Sequence, residues 1–132
     1  MIQIPVAIGE VTDKITILEL KLRYITDKKK TVNIEKELIL LKEIFNECLN
    51  IHTKATQTRV KNIQNKLSEV NDQIWKIEDA IRFHERKQRF DTNFIQLARS
   101  IYRNNDRRAK LKKQINLLTN SEIVEEKSYE EY

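Results

Sequence analysis

Hydrophobic positions along this chain recur at spacings of three and four residues, and the longest such pattern is interrupted at its centre. Phe90, Phe94, Leu97, Ala98, Ile101 and Ile115 fall within one arc of about 100° when each residue turns roughly 100°, with Leu118 beside it. Asn105, Arg108 and Lys112 point into that same arc, where Leu or Ile is expected, and Tyr102 and Asn104 lie at its two edges. A packed helix that gives three core-facing positions to polar groups must satisfy them with partners or with a ligand.

The rest of the chain reads as three more helices. Val11, Ile15, Leu18, Leu22 and Ile25 predict a first helix over Gly9 to Lys29. Ile17, Leu20 and Tyr24 form a second apolar strip on nearly its opposite side, so this helix is either sandwiched inside the fold or shared with another subunit. Asn33 is the expected N-cap of a second helix running to about Thr56, with Ile34, Leu38, Leu41, Phe45, Cys48 and His52 on one stripe. Val60, Ile63, Leu67, Val70, Ile74, Ile77 and Ile81 keep a heptad alternation that predicts a long third helix, Thr58 to Arg89, packed as in an antiparallel coiled coil. Asp91 caps the fourth helix, Phe90 is placed as its staple, and Asn120-Ser121 ends it.

The expected fold is therefore all-α: an antiparallel bundle of four main helices in a single domain over residues 1–132. Residues 1–120 make the bundle, opened by a short extended stretch from Ile2 to Ile8, and 121–132 form an acidic tail, docked or mobile. One Gly and one Pro leave little turn chemistry, in keeping with a few long helices. Charged residues make up 34% of the chain and apolar ones 39%, a balance ordinary for long amphipathic helices. One cysteine excludes an intrachain disulfide. No stretch approaches the roughly 18 apolar residues of a membrane span, and the expected setting is cytoplasmic.

The net charge of +5 conceals an asymmetry. From Glu122 to Tyr132, five acids face only Lys127, a net of −4, whereas Arg82 to Lys113 holds eleven Lys or Arg against Glu85, Asp91 and Asp106, a net of +8. Such a field draws anions: nucleic acid, a phosphorylated small molecule, or the acidic tail itself. The plain alternative is a solvated basic face. Nucleic acid is not favoured, because no recognition motif appears and the tail would compete.

Cys48 and His52, four apart, offer half a metal site without a second pair nearby, and a packed Cys beside a stripe-end His is the simpler reading. Two Glu-x-x-Asp pairs, Glu10/Asp13 and Glu69/Asp72, have the spacing with which all-helical nucleotide pyrophosphohydrolases bind magnesium, but both point away from the main seams toward solvent. No metal or cofactor is expected. A chorismate-mutase-like site would also be helical and Arg-rich, but no motif goes beyond that. There is no Gly-rich phosphate loop and no Ser-His-Asp arrangement.

Several stretches together are similar to a known family. They are Ile4-Pro5-Val6-x-Ile8-Gly9-Glu10-x-x-Asp13-Lys14-Ile15-Thr16-Ile17-Leu18-Glu19, Ile74-Trp75-x-Ile77-Glu78-Asp79-x-Ile81-Arg82, Phe90-Asp91, Phe94 to Tyr102, Asn105-Asp106-x-Arg108-Ala109, Lys112, and Ile123 to Tyr129. The chain resembles a family of small bacterial and phage proteins known only as a domain of unknown function. The resemblance spans nearly the whole chain and implies a shared helical fold, but no activity. Where the family commonly has Ser, this chain has Ala7, so a capping box at the first helix is expected to be missing.

Two readings of the polar positions stand side by side. One is a buried ion-pair network that fixes helix register, which adds little net stability. The other is a pocket for a small anionic ligand, plausibly a nucleotide, between the third and fourth helices. In it Arg82, Arg99, Arg108 and Lys112 meet the anionic charge, Asn105 supplies a polar edge, and Tyr102 and Trp75 cover an aromatic face. Glu78, Asp106, Glu85, Glu19 and Asn71 hold the cations in place around it. Binding is preferred over catalysis because no paired nucleophile and base is seen. A protein–protein interaction module is the alternative, and a homo-oligomer, most simply a dimer, is expected from the second strip of the first helix.

Overall fold

A computed structural model describes residues 1–132 and contains four helices and no strand: α1 (Ile8–Tyr24), α2 (Lys28–Asn50), α3 (Lys54–Lys87) and α4 (Thr92–Leu118). The all-α bundle read from the heptad patterns is the observed fold. Its hub is α1, which packs against each of the other three helices, while α2 meets the rest mainly through α1. The helix thus lies between α2 on one side and the α3–α4 hairpin on the other.

That position explains the two apolar strips of α1. Ile15 and Leu18 join Leu38, Phe45 and Leu49 of α2 in the main core, together with Val60 and Leu67 of α3 and Ile115 of α4. On the opposite side Leu20 is buried and Tyr24 stacks on Trp75 of α3, with ring centroids 5.1 Å apart. The second strip is covered in part within the chain: Leu20 is buried, Ile17 is half-buried, and Tyr24 stays exposed at its outer edge.

Helix ends follow local capping more than the apolar pattern. Asp27 caps α2 by accepting from the Lys29 amide at 3.0 Å, so the helix begins at Lys28, ahead of the expected Asn33 cap. With α1 ended at Tyr24 by extended Ile25, the boundary at Lys29 is corrected. Thr53 caps α3 through the Thr56 amide and so splits α2 from α3 earlier than Thr56. Asp91 caps α4 through the Phe94 amide at 3.0 Å, as its position in the sequence implies, and Phe90 packs edge-on to Phe94 at 5.2 Å.

Length sets where the core stops. α3 has 34 residues and α1 only 17, about 51 Å against 26 Å at 1.5 Å per residue. Within α3 the buried positions are Val60, Leu67, Val70 and Asn71; beyond Asn71 α1 covers the hairpin only at its Tyr24 end, against Trp75, and Ile74, Ile77 and Ile81 are half-buried. No helix is long and apolar enough to cross a membrane.

Candidate functional site

The polar break in α4 faces the N-terminal half of α1. Arg108 forms a two-pronged pair with Asp13: Nε donates to Oδ1 at 2.9 Å and Nη2 to Oδ2 at 2.5 Å. Asp13 is 1% exposed, so these bonds replace water entirely. Asn71 of α3 donates to the same Asp13 Oδ1 at 2.9 Å and to Thr16 Oγ1 at 2.8 Å, and the Thr16 hydroxyl donates to the Asp13 carbonyl at 2.7 Å. Hydrogen bonding to Asp13 holds the Arg108 pKa above its ordinary value, against the opposite pull of burial. Three helices thus meet on one carboxylate.

One turn further along α4, Lys112 is nearly buried and bridges two acids, Glu10 of α1 at 2.7 Å and Glu125 of the tail at 3.0 Å. Burial pulls its pKa down, but the two carboxylates outweigh that and hold it above the ordinary lysine value. Lys112 in turn holds the Glu125 carboxyl below the usual carboxylate range.

One more turn on, Asn116 Oδ1 accepts the Gly9 amide at 2.6 Å. Ala7 is the N-cap of α1 and has no side chain to offer, so the expected capping box is absent and α4 supplies the missing acceptor. The approach is close. A Cβ on Gly9 would lie 2.7 Å from Asn116 Oδ1 and closer still to the Lys112 carbonyl oxygen. Positions 9 and 13 of α1 therefore meet 116, 112 and 108 of α4 in reverse order, and every contact is polar.

This arrangement revises the expected site. Asp13 is buried at its centre, whereas the spacing of Glu10 and Asp13 had placed both in solvent. Its position was visible in one respect: Gly9 and Asp13 extend the strip of Ile17, Leu20 and Tyr24 by steps of four. Thr16 and Asn116 were missed as well. Asn71, Arg108 and Lys112 are brought together, and their partners are acids of this same chain.

The other expected residues separate into two places. Trp75, Glu78 and Arg82 line a groove of about 450 Å³ between α1 and α3, floored by Ile17, Leu20 and Ile74 and closed at one end by Asn71 and Arg108. Arg82 pairs with Glu78 one turn before it. Trp75 is held by the Tyr24 ring, whose hydroxyl donates to Asp72; that bond pushes the Tyr24 pKa up and the Asp72 pKa down. Tyr102, Asn105 and Asp106 instead line an open space between α4 and the tail. Arg99 is exposed and unpaired, Glu85 is exposed and pairs with none of the cations it was expected to hold, and Glu19 faces Lys42 of α2 at 3.6 Å. No group of three His, Cys, Asp or Glu side chains converges as metal ligands would.

Fold and site define an all-helical protein whose central helix is pinned to α4 by a buried polar cluster, beside a groove carrying two arginines and a tryptophan. The chain belongs to a family of unknown function, DUF6165, whose model matches residues 2–132. No curated protein and no solved structure matches it.

Proposed function

We propose that this is a non-enzymatic binding protein that takes a small anionic ligand with a flat ring, a nucleoside monophosphate, in the groove between α1 and α3. The supporting observation is the state of Arg108. Asp13 engages its Nε and Nη2, while Nη1 makes no hydrogen bond and the residue closes one end of the groove. Asp13 fixes the guanidinium plane, so a bound anion would meet a donor already oriented. Arg82 stands on the same groove wall, and its partner Glu78 is a partly exposed acid that a stronger anion can displace. Trp75 supplies a flat face, itself steadied by Tyr24. A volume near 450 Å³ falls in the small-molecule range.

The proposed location moves from between α3 and α4 to between α1 and α3, because α3 and α4 close on each other there. Lys112 has two carboxylate partners, so it serves the fold and takes no part in the proposed site. AMP, GMP, CMP and UMP at millimolar concentration are the test ligands. At least one is expected to raise the melting temperature and quench Trp75 fluorescence, and Arg82→Ala to remove both effects while leaving the fold intact. Neither effect from any of the four would end the reading.

A second reading, an interaction module, has its own observation. The face of α2 turned away from α1 leaves Val32, Ile39, Leu40 and Ile44 exposed, with Ile51 exposed just past its end. A self-associating module should give a dimer mass by light scattering at tens of micromolar, and Ile39→Lys should restore the monomer. A monomer mass for the unaltered chain removes self-association through this face.

A further inference from the structure

The outer face of α4 carries a feature that neither the buried cluster nor the groove uses. Arg99, Arg103, Arg107 and Lys110 lie within about 80° of one another around the helix, pointing away from Arg108 and Lys112. All four are exposed and none is in an ion pair, although the chain holds twenty acids. From Arg99 to Lys110 the stripe extends about 16 Å along the axis at 1.5 Å per residue.

Along one edge of this stripe runs the C-terminal tail, in the direction opposite to α4. Glu125 meets Lys112, Glu126 meets Lys113 at 3.1 Å, and the chain ends with the Tyr132 ring edge-on to Tyr102, centroids 5.1 Å apart. Between them the tail and α4 enclose open spaces lined by Asp106 and Lys110 of α4 and by Lys127, Tyr129, Glu130 and Glu131 of the tail, the last two being acids that a bound strand would displace together with the tail. The tail thus presents a carboxylate to a lysine and an aromatic ring to an exposed tyrosine at the two ends of one extended segment. A single strand presents the same two chemistries in alternation: a backbone anion and a flat ring that stacks on aromatic side chains.

We propose that the outer face of α4 binds single-stranded nucleic acid, with the backbone along Arg99, Arg103, Arg107 and Lys110 and a base on Tyr102, and that the tail occupies part of this face as a competitor. The pattern suits a strand better than a lipid surface. An interfacial helix needs a broad apolar face toward the acyl chains, and the apolar face of α4 is already used against α3. The proposal does not rest on the α1–α3 groove.

The test is fluorescence anisotropy of a labelled oligothymidylate with the full chain in low salt. Binding is expected to weaken with salt, with a log–log slope of roughly −3 for four or five neutralised phosphates. Glu126→Gln with Tyr132→Ala, both at exposed positions, should tighten binding about tenfold by removing two weak tail contacts. Arg103→Glu with Arg107→Glu should abolish binding, with helicity by circular dichroism unchanged. Arg82→Ala should leave it unaltered, which separates this face from the groove. No binding by either the unaltered chain or the tail variant would overturn the proposal. So would loss of binding in Arg82→Ala, or capture by phosphatidylserine vesicles without capture of the oligonucleotide. Equal affinity of the tail variant and the unaltered chain would overturn the competitor role of the tail.

Discussion

Arg108→Leu is expected to destabilise the protein by about 3–5 kcal/mol, the usual cost of removing one partner from a buried ion pair. Asp13 has no route to water at 1% exposure, and after the substitution its only remaining side-chain donor is the Asn71 amide. An exposed arginine would behave differently: paired surface charges contribute at most about 1 kcal/mol. Arg82, in a partly exposed pair with Glu78, is the internal control, and Arg82→Ala should change stability by less than about 1 kcal/mol. Urea unfolding followed by circular dichroism measures both. Equal and small losses for the two variants would mean that Asp13 finds another partner.

Gly9→Ala is the second large effect, and its sign opposes helix propensity. In an isolated helix the change would gain roughly 0.5–1 kcal/mol. Here the new methyl group would overlap the Lys112 carbonyl oxygen and the Asn116 side-chain oxygen. One is backbone within α4, so it cannot swing aside. Moving the Asn116 side chain would leave the Gly9 amide without an acceptor at a helix start that has no cap of its own. Overpacking and the lost hydrogen bond together outweigh the propensity gain, for a net loss of about 2 kcal/mol or more. Thermal unfolding of Gly9→Ala against the unaltered chain measures the net effect. A melting temperature equal to or above that of the unaltered chain would show that α1 and α4 can move apart freely.

The same residues show how far the sequence carries. The seam from Val60 to Ile81 was legible because heptad spacing is local to one helix, and Trp75, Glu78 and Arg82, named as candidate site residues, do line one groove together with Asn71. The polar break at Arg108 and Lys112 was legible for the same reason. Their partners were not. Asp13 lies 95 residues from Arg108, and spacing within a helix does not report which face another helix will cover. Capping limited the boundaries: Asp27 sits before three lysines and resembles part of a charged surface run, yet its side chain starts α2. The second strip on α1 announced contacts on both sides but not with what, and α3 covers part of it, burying Leu20 and stacking Trp75 on Tyr24.

The central claim is that the polar positions of α4 hold α1 in place through Asp13, and that Arg108 thereby reaches the groove already oriented. A double-mutant cycle on Asp13 and Arg108 tests this most directly, with Asp13→Ala, Arg108→Ala and the pair compared by urea unfolding. The account predicts that each single change costs several kcal/mol and that the pair together costs little more than either alone, because removing both leaves no buried charge without a partner. Additive costs, with coupling under about 0.5 kcal/mol, would contradict it.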